Sequence, residues 1–163
     1  MDDRMKHNGE FMAVHAADLE AVLRQYGRQY LAGDLKRPQQ LPYVKDTAIE
    51  IGITHYEGDT TERPHWHPLQ REYQYVLAGS TVYVDSITGQ EHTYQTGDFY
   101  AILPEICYGQ HSSAGTTILF IKHPAIDDKM VCKNCLRENC PSRLEPFSTK
   151  KIVSDEVTTD DQE

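Results

Sequence analysis

An all-β fold with one helix in front of it is what this sequence predicts. Three observations carry that expectation. From Thr47 the hydrophobic period is two, as Ile49, Ile51 and Ile53 show, which is the pattern of a half-buried strand. Short strand-like runs then recur between turns at Ala78-Gly79, Thr88-Gly89, Thr96-Gly97 and Ala114-Gly115. A single stretch, Ala17 to Leu31, has clear helical spacing. Periodicity alone does not choose between a barrel and a sandwich.

The elements follow in chain order. Residues 1–11 are polar and charged without an apolar run, so they read as disordered or tag-like and not as a signal peptide. Leu19, Val22, Leu23, Tyr26 and Tyr30 recur at three- and four-residue spacing, the stripe of an amphipathic helix. Asp18 suits its first turn, and Gly33 is the expected stop. Such a helix is expected to cross one mouth of the barrel or to meet a partner subunit. Pro38 and Pro42 mark an irregular connection. Strands are expected at 49–56, 63–68, 72–77, 80–86, 91–95, 98–103, 106–111 and 116–122, with a turn at Glu57-Gly58-Asp59. Residues 142–163 lack periodicity and turn acidic, which predicts a mobile tail.

A chain of 163 residues is most simply one domain. It divides into an N-terminal segment with the helix (1–45), a barrel (46–125) and a C-terminal extension (126–163). The 25 acidic and 16 basic residues leave a formal charge of −9, with no basic patch of the kind nucleic acid requires. No apolar run reaches the length of a membrane span. Three of the four cysteines crowd together late in the chain. They do not form a disulfide framework, so a reducing cytoplasmic setting is expected.

The chemistry concentrates between His65 and Gly79. His65 and His67 are two apart and share one face of a strand. Glu72 opens the next apolar run. Two imidazoles and a carboxylate on one face can hold a divalent transition metal with positions left open. The order H-x-H, four residues, Glu, six residues, Gly resembles the first signature motif of the cupin superfamily. Gly58 resembles the glycine that opens that motif, with one extra residue before His65. The resemblance covers roughly residues 45–125. It implies a jelly-roll β-barrel with metal ligands at His65, His67 and Glu72. Gly97-Asp98 and the run to Pro104 resemble the second motif. A histidine that completes the metal site in the common pattern is replaced here by Tyr108, and a histidine appears only at His111. Strand alternation favours Tyr108 in the pocket, whereas a bulge would bring His111 inward as a ligand.

The implied cofactor is one divalent ion (Fe, Mn, Ni or Zn). The resemblance leaves the reaction open among dioxygenase, isomerase or epimerase, and lyase chemistry on a small molecule, with Tyr108 and Glu72 as the acid/base groups. The alternative is a cupin that binds or senses a small ligand without turnover. Sheet edges and the helix stripe predict a homodimer. Cys132, Cys135 and Cys140 form C-x2-C-x4-C, a partial ligand set for a second, structural zinc, with Cys107, His123 or a partner chain as the source of the fourth member; an iron–sulfur centre, and free thiols or a disulfide, are the alternatives.

Overall fold

The structure is a computed structural model, and it describes residues 11–132. Cys135, Cys140 and the acidic tail lie outside the described residues.

The order is α1 (Ala16–Tyr26), β1 (Arg28–Gly33), β2 (Val44–Lys45), β3 (Glu50–Tyr56), β4 (Thr60–Trp66), β5 (Arg71–Ala78), β6 (Ser80–Asp85), β7 (Glu91–Gln95), β8 (Phe99–Ile102), β9 (Tyr108–Ser112), β10 (Thr116–His123) and β11 (Met130–Val131). Two sheets form, β2-β1-β3-β10-β5-β8 and β11-β4-β9-β6-β7. Val76 and Tyr100 from the first meet Tyr83 and Tyr108 from the second in one buried cluster. This is the jelly-roll expected from the sequence. Among the described residues no helix is long and apolar enough to cross a membrane.

The helix ends earlier than its periodicity suggests. Gly27 takes φ +72° and its N–H bonds to Leu23 O at 2.8 Å, a left-handed stop that glycine adopts without steric cost. The chain then enters β1, so Tyr30 is a strand residue, edge-on to Phe120 at 5.3 Å. The spacing from Tyr26 to Tyr30 mimics one more helical turn. Gly33, expected as the helix stop, instead closes β1.

Alternation sets the interior. On β5 the buried residues are Glu72, Gln74 and Val76; on β9 they are Tyr108, Gln110 and Ser112; on β10 they are Thr116, Ile118 and Phe120. Side chains two apart on a strand share a face, so each of these triplets points inward. The interior therefore carries buried polar side chains as well as apolar ones.

β4 carries a register shift against β9. Glu62 pairs with Gln110 and His65 with Tyr108, so three steps on β4 match two on β9. One residue of the Arg63-Pro64 pair is extra, which is a β-bulge. Pro64 has no N–H to give to the ladder, so the break falls where a ladder bond is already missing. The bulge lets Glu62 and His65 line the same cavity although they are three apart. It also absorbs the extra residue seen before His65 in the sequence.

Candidate functional site

A half-open cavity of about 50 Å³ lies among β3, β4, β5, β9 and β10, and it is walled by His65, His67, Glu72, Gln74, Tyr108 and Gln110. Arg28, Glu62, Phe120, Lys122 and Lys129 also border it. His65, His67, Glu72 and Tyr108 are all buried. Trp66, between the two histidines, turns away and packs on Cys107 and Cys132.

Each histidine is held by its outer nitrogen. His65 Nδ1 lies 2.9 Å from Arg63 O, and a carbonyl can only accept, so Nδ1 carries the proton. His65 Nε2 is then an acceptor, and the Tyr108 hydroxyl donates to it at 2.9 Å. His67 Nδ1 lies 2.7 Å from the Asp128 carboxylate, which fixes its proton in the same way. Asp128 is itself held by the backbone N–H groups of Leu69 and Gln70, at 2.8 and 2.9 Å. Burial would raise the Asp128 pKa, but the bond from His67 and those two N–H groups hold it below its ordinary value.

His67 Nε2 is the unsatisfied atom of the site. It lies 3.2 Å from Glu72 Oε1, close enough for an ion pair, yet it makes no hydrogen bond there and is fully buried. A second proton on Nε2 would make His67 a cation between Asp128 and Glu72; without it, the Nε2 lone pair faces a carboxylate oxygen. Two acceptors so placed repel unless a cation lies between or beside them.

Glu72 is anchored on both oxygens. Gln74 Nε2 donates to Oε2 at 2.7 Å, and the Tyr108 hydroxyl is 3.5 Å from the same atom. Lys122 Nζ lies 3.4 Å from Oε1, across the β5–β10 ladder where the two residues pair directly. Burial pushes the Glu72 carboxyl up, but Lys122, His67 and His65 together outweigh it and hold the group far below the usual carboxylate range. The Tyr83 and Tyr100 hydroxyls both lie 2.9 Å from Gln74 Oε1. That contact makes the Gln74 oxygen the acceptor and aims its NH₂ at Glu72. Burial, with the Glu72 charge adding to it, raises the Tyr108 phenol well above its ordinary value, so it stays protonated. Burial, then the Lys129 charge, lowers the His65 pKa.

Of the residues singled out in the sequence, His65, His67, Glu72 and Tyr108 converge on this cavity. His111 does not: it is one residue out of phase with Gln110, and its Nδ1 bonds Thr61 Oγ1 at 3.0 Å. Among the described residues no three of His, Cys, Asp and Glu are gathered closely enough to hold a metal as they stand. The donor types nevertheless suit a divalent ion, because both imidazoles keep Nε2 as an acceptor and a carboxylate adjoins them. Sequence reasoning missed Lys122, Arg28 and Asp128. Lys122 had a legible signal, since it continues the inward series of Ile118 and Phe120. Asp128 lies in an irregular arm with no periodicity to read.

The cupin-domain family model matches residues 52–116, the span from β3 to the start of β10. The chain carries a cupin domain. No curated protein sequence matches it. Solved structures similar to this cupin include KdgF from Halomonas, at 14% identity and TM-score 0.48, over 76% of this chain and 94% of that one. A conserved protein with a double-stranded β-helix domain from Klebsiella pneumoniae is 17% identical with TM-score 0.47, over 58% of this chain and 88% of that one. A sugar phosphate isomerase from Silicibacter pomeroyi is 23% identical with TM-score 0.41, over 47% of this chain and 50% of that one. These likenesses concern the cupin fold.

Proposed function

We propose that this cupin is a small-molecule enzyme that uses one divalent transition metal, with His65, His67 and Glu72 as ligands and Tyr108 as the proton donor. The buried, unbonded Nε2 of His67 facing Glu72 Oε1 carries the reading. When bound, the ion would act as a Lewis acid on a carbonyl or enediolate oxygen, or would bind dioxygen.

The chain's own residues supply the rest. Asp128 and Arg63 O orient the two imidazoles. Gln74 orients Glu72. Tyr108, kept protonated by burial, gives its proton to an oxygen of the substrate and is not a base at neutral pH. Lys122, beside Glu72, offers a positive charge to an anionic group entering from the open side. A cavity of about 50 Å³ admits the reacting head of a substrate and leaves its remainder toward the mouth.

A second reading is a ligand-binding cupin without turnover. The Lys122–Glu72 contact favours it, because the carboxylate already has a counter-charge without an ion. Metal content separates the two. His65→Ala and Glu72→Ala should each lose bound metal, Tyr108→Phe should retain it with impaired turnover, and His111→Ala should be neutral on both counts. Metal content and activity untouched by His65→Ala would remove the metalloenzyme and leave the binding module.

A further inference from the structure

We infer that the molecule this cavity takes is a small monocarboxylate, and that Arg28, with Lys122 and Lys129 beside it, recognises the carboxylate. The inference rests on the reading of the cavity as a small-molecule site, but not on its metal.

Three cations from three separate segments border one cavity. Arg28 opens β1, Lys122 stands near the end of β10, and Lys129 lies just before β11. The chain as a whole carries a formal charge of −9, so this cationic border runs against its overall balance. Two carboxylates, Glu62 and Glu72, lie on the same wall. With the histidines set aside, three cations against two carboxylates leave a surplus of one positive charge, which suits a monoanion.

The pairing of the strands singles out Arg28. Lys122 pairs with Glu50 on one neighbour and with Glu72 on the other, so two carboxylates flank it. Its Nζ is 3.4 Å from Glu72 Oε1. Arg28 instead pairs with Thr54, whose Oγ1 accepts from Arg28 Nε at 2.9 Å. That bond fixes the plane of the guanidinium and leaves its charge intact. A planar guanidinium presents a fork of N–H groups that matches the two oxygens of a carboxylate. Arg28 and Lys122 each lie 5.6 Å from the centroid of the same Phe120 ring. Like charges held so close repel, and an anion between them removes that cost. Lys129 acts from another segment, near enough to His65 for its charge, after burial, to lower the His65 pKa.

Competing accounts leave more unexplained. Packing of Arg28 on Phe120 accounts for the position of that side chain, but not for Lys129 reaching the same cavity. A phosphate monoester could use the same fork, but it brings up to two negative charges where the surplus is one. Tyr56, Gln74, Tyr108 and Gln110 on the same wall suit hydroxyl groups, so a short hydroxy acid fits better than an alkyl one.

The test titrates the metal-stripped full-length protein with glycerate, glyceramide and glycerol 1-phosphate, and follows backbone amide shifts by NMR. Glycerate should move the amides of Arg28, Thr54 and Lys122 and saturate in the millimolar range, and the neutral amide should not. Arg28→Gln should weaken glycerate about tenfold. Arg28→Lys should weaken it less, because lysine keeps the charge without the fork. Lys129→Gln, at an exposed position, should weaken glycerate several-fold and serves in place of Arg28→Gln should that variant not fold. Glyceramide binding as well as glycerate, no saturable glycerate binding, glycerol 1-phosphate binding more tightly than glycerate, or an affinity unmoved by these variants overturns the proposal. A barrel that takes no metal leaves every one of these outcomes unchanged, and an uncharged ligand would leave the metal reading of His65, His67 and Glu72 standing.

Discussion

Glu72 sits in the barrel interior as an anion, against the cost of burial, because Lys122 lies 3.4 Å away and Gln74 donates to its other oxygen at 2.7 Å. Glu72→Gln leaves the Lys122 ammonium without its counter-charge. Breaking a buried pair from one side costs about 3–5 kcal/mol. The Glu72 carboxyl is held below its unfolded value, so its contribution is complete above the ordinary carboxylate range and fades as pH falls toward the depressed value. Lys122 is held above its unfolded value despite burial, so its share is complete below the ordinary lysine range and fades only in strong alkali. The stability gap between wild type and Glu72→Gln should therefore be flat near neutrality and narrow in acid. Urea unfolding at pH 7 and pH 3 measures it, and a gap that widens in acid contradicts the assignment. Tyr108→Phe removes the donor to His65 Nε2, a loss of about 1 kcal/mol. It also releases a lone pair that a metal can take. Metal content in Tyr108→Phe should equal or exceed that of the wild type, while turnover falls; a drop in metal would mean that the phenol is itself a ligand.

At the scale of the elements, the β5–β6 turn depends on one glycine. Gly79 takes φ +80°, and a Cβ there would stand 2.7 Å from Thr116 Cα, a backbone atom that cannot swing aside. The Thr116 hydroxyl bonds both the N–H and the C=O of Ser80, at 3.1 and 2.8 Å. Gly79→Ala should destabilise the fold by about 2 kcal/mol or more, from the left-handed backbone and the overlap together. Thermal unfolding checks this, and an unchanged melting temperature would contradict the turn geometry. That glycine was legible in the sequence, as were the eight longer strands from β3 to β10, because the half-buried sheets write a period of two. β1 was not legible, since Tyr26 and Tyr30 fall one helical turn apart and only the backbone of Gly27 shows that the helix has stopped. β2 and β11, two residues each, are too short to show any period. In the site, His65, His67, Glu72 and Tyr108 could be read because their order resembles the two cupin motifs, with strand alternation favouring Tyr108 over His111. The β4 bulge showed in advance only as one surplus residue before His65. The roles of Asp128 and Arg28 come from segments that meet the barrel through tertiary pairing, which local pattern does not encode.

For the whole molecule, the first sheet ends on β8, whose outward face carries Phe99, 64% exposed and stacked at 6.4 Å on Tyr73 of β5. Tyr75 and Leu77 extend the same apolar surface along β5. An exposed sheet edge bordered by aromatic side chains favours pairing with a second copy about a two-fold axis. Light scattering should report a dimer, and Phe99→Lys should shift it toward the monomer. A single-chain mass for the wild type across micromolar concentrations would contradict this.

The tie between His67 and Asp128 makes the pocket impossible to transplant as a cassette. The family match spans 52–116, yet Arg28 precedes it, and Phe120, Lys122, Asp128 and Lys129 all follow it. A gene fragment cut at those limits would encode both histidines and Glu72. It would leave behind the lysine that keeps Glu72 ionised and the carboxylate that sets the His67 tautomer. Engineering of this barrel for new chemistry therefore has to begin upstream of Arg28 and run past Lys129.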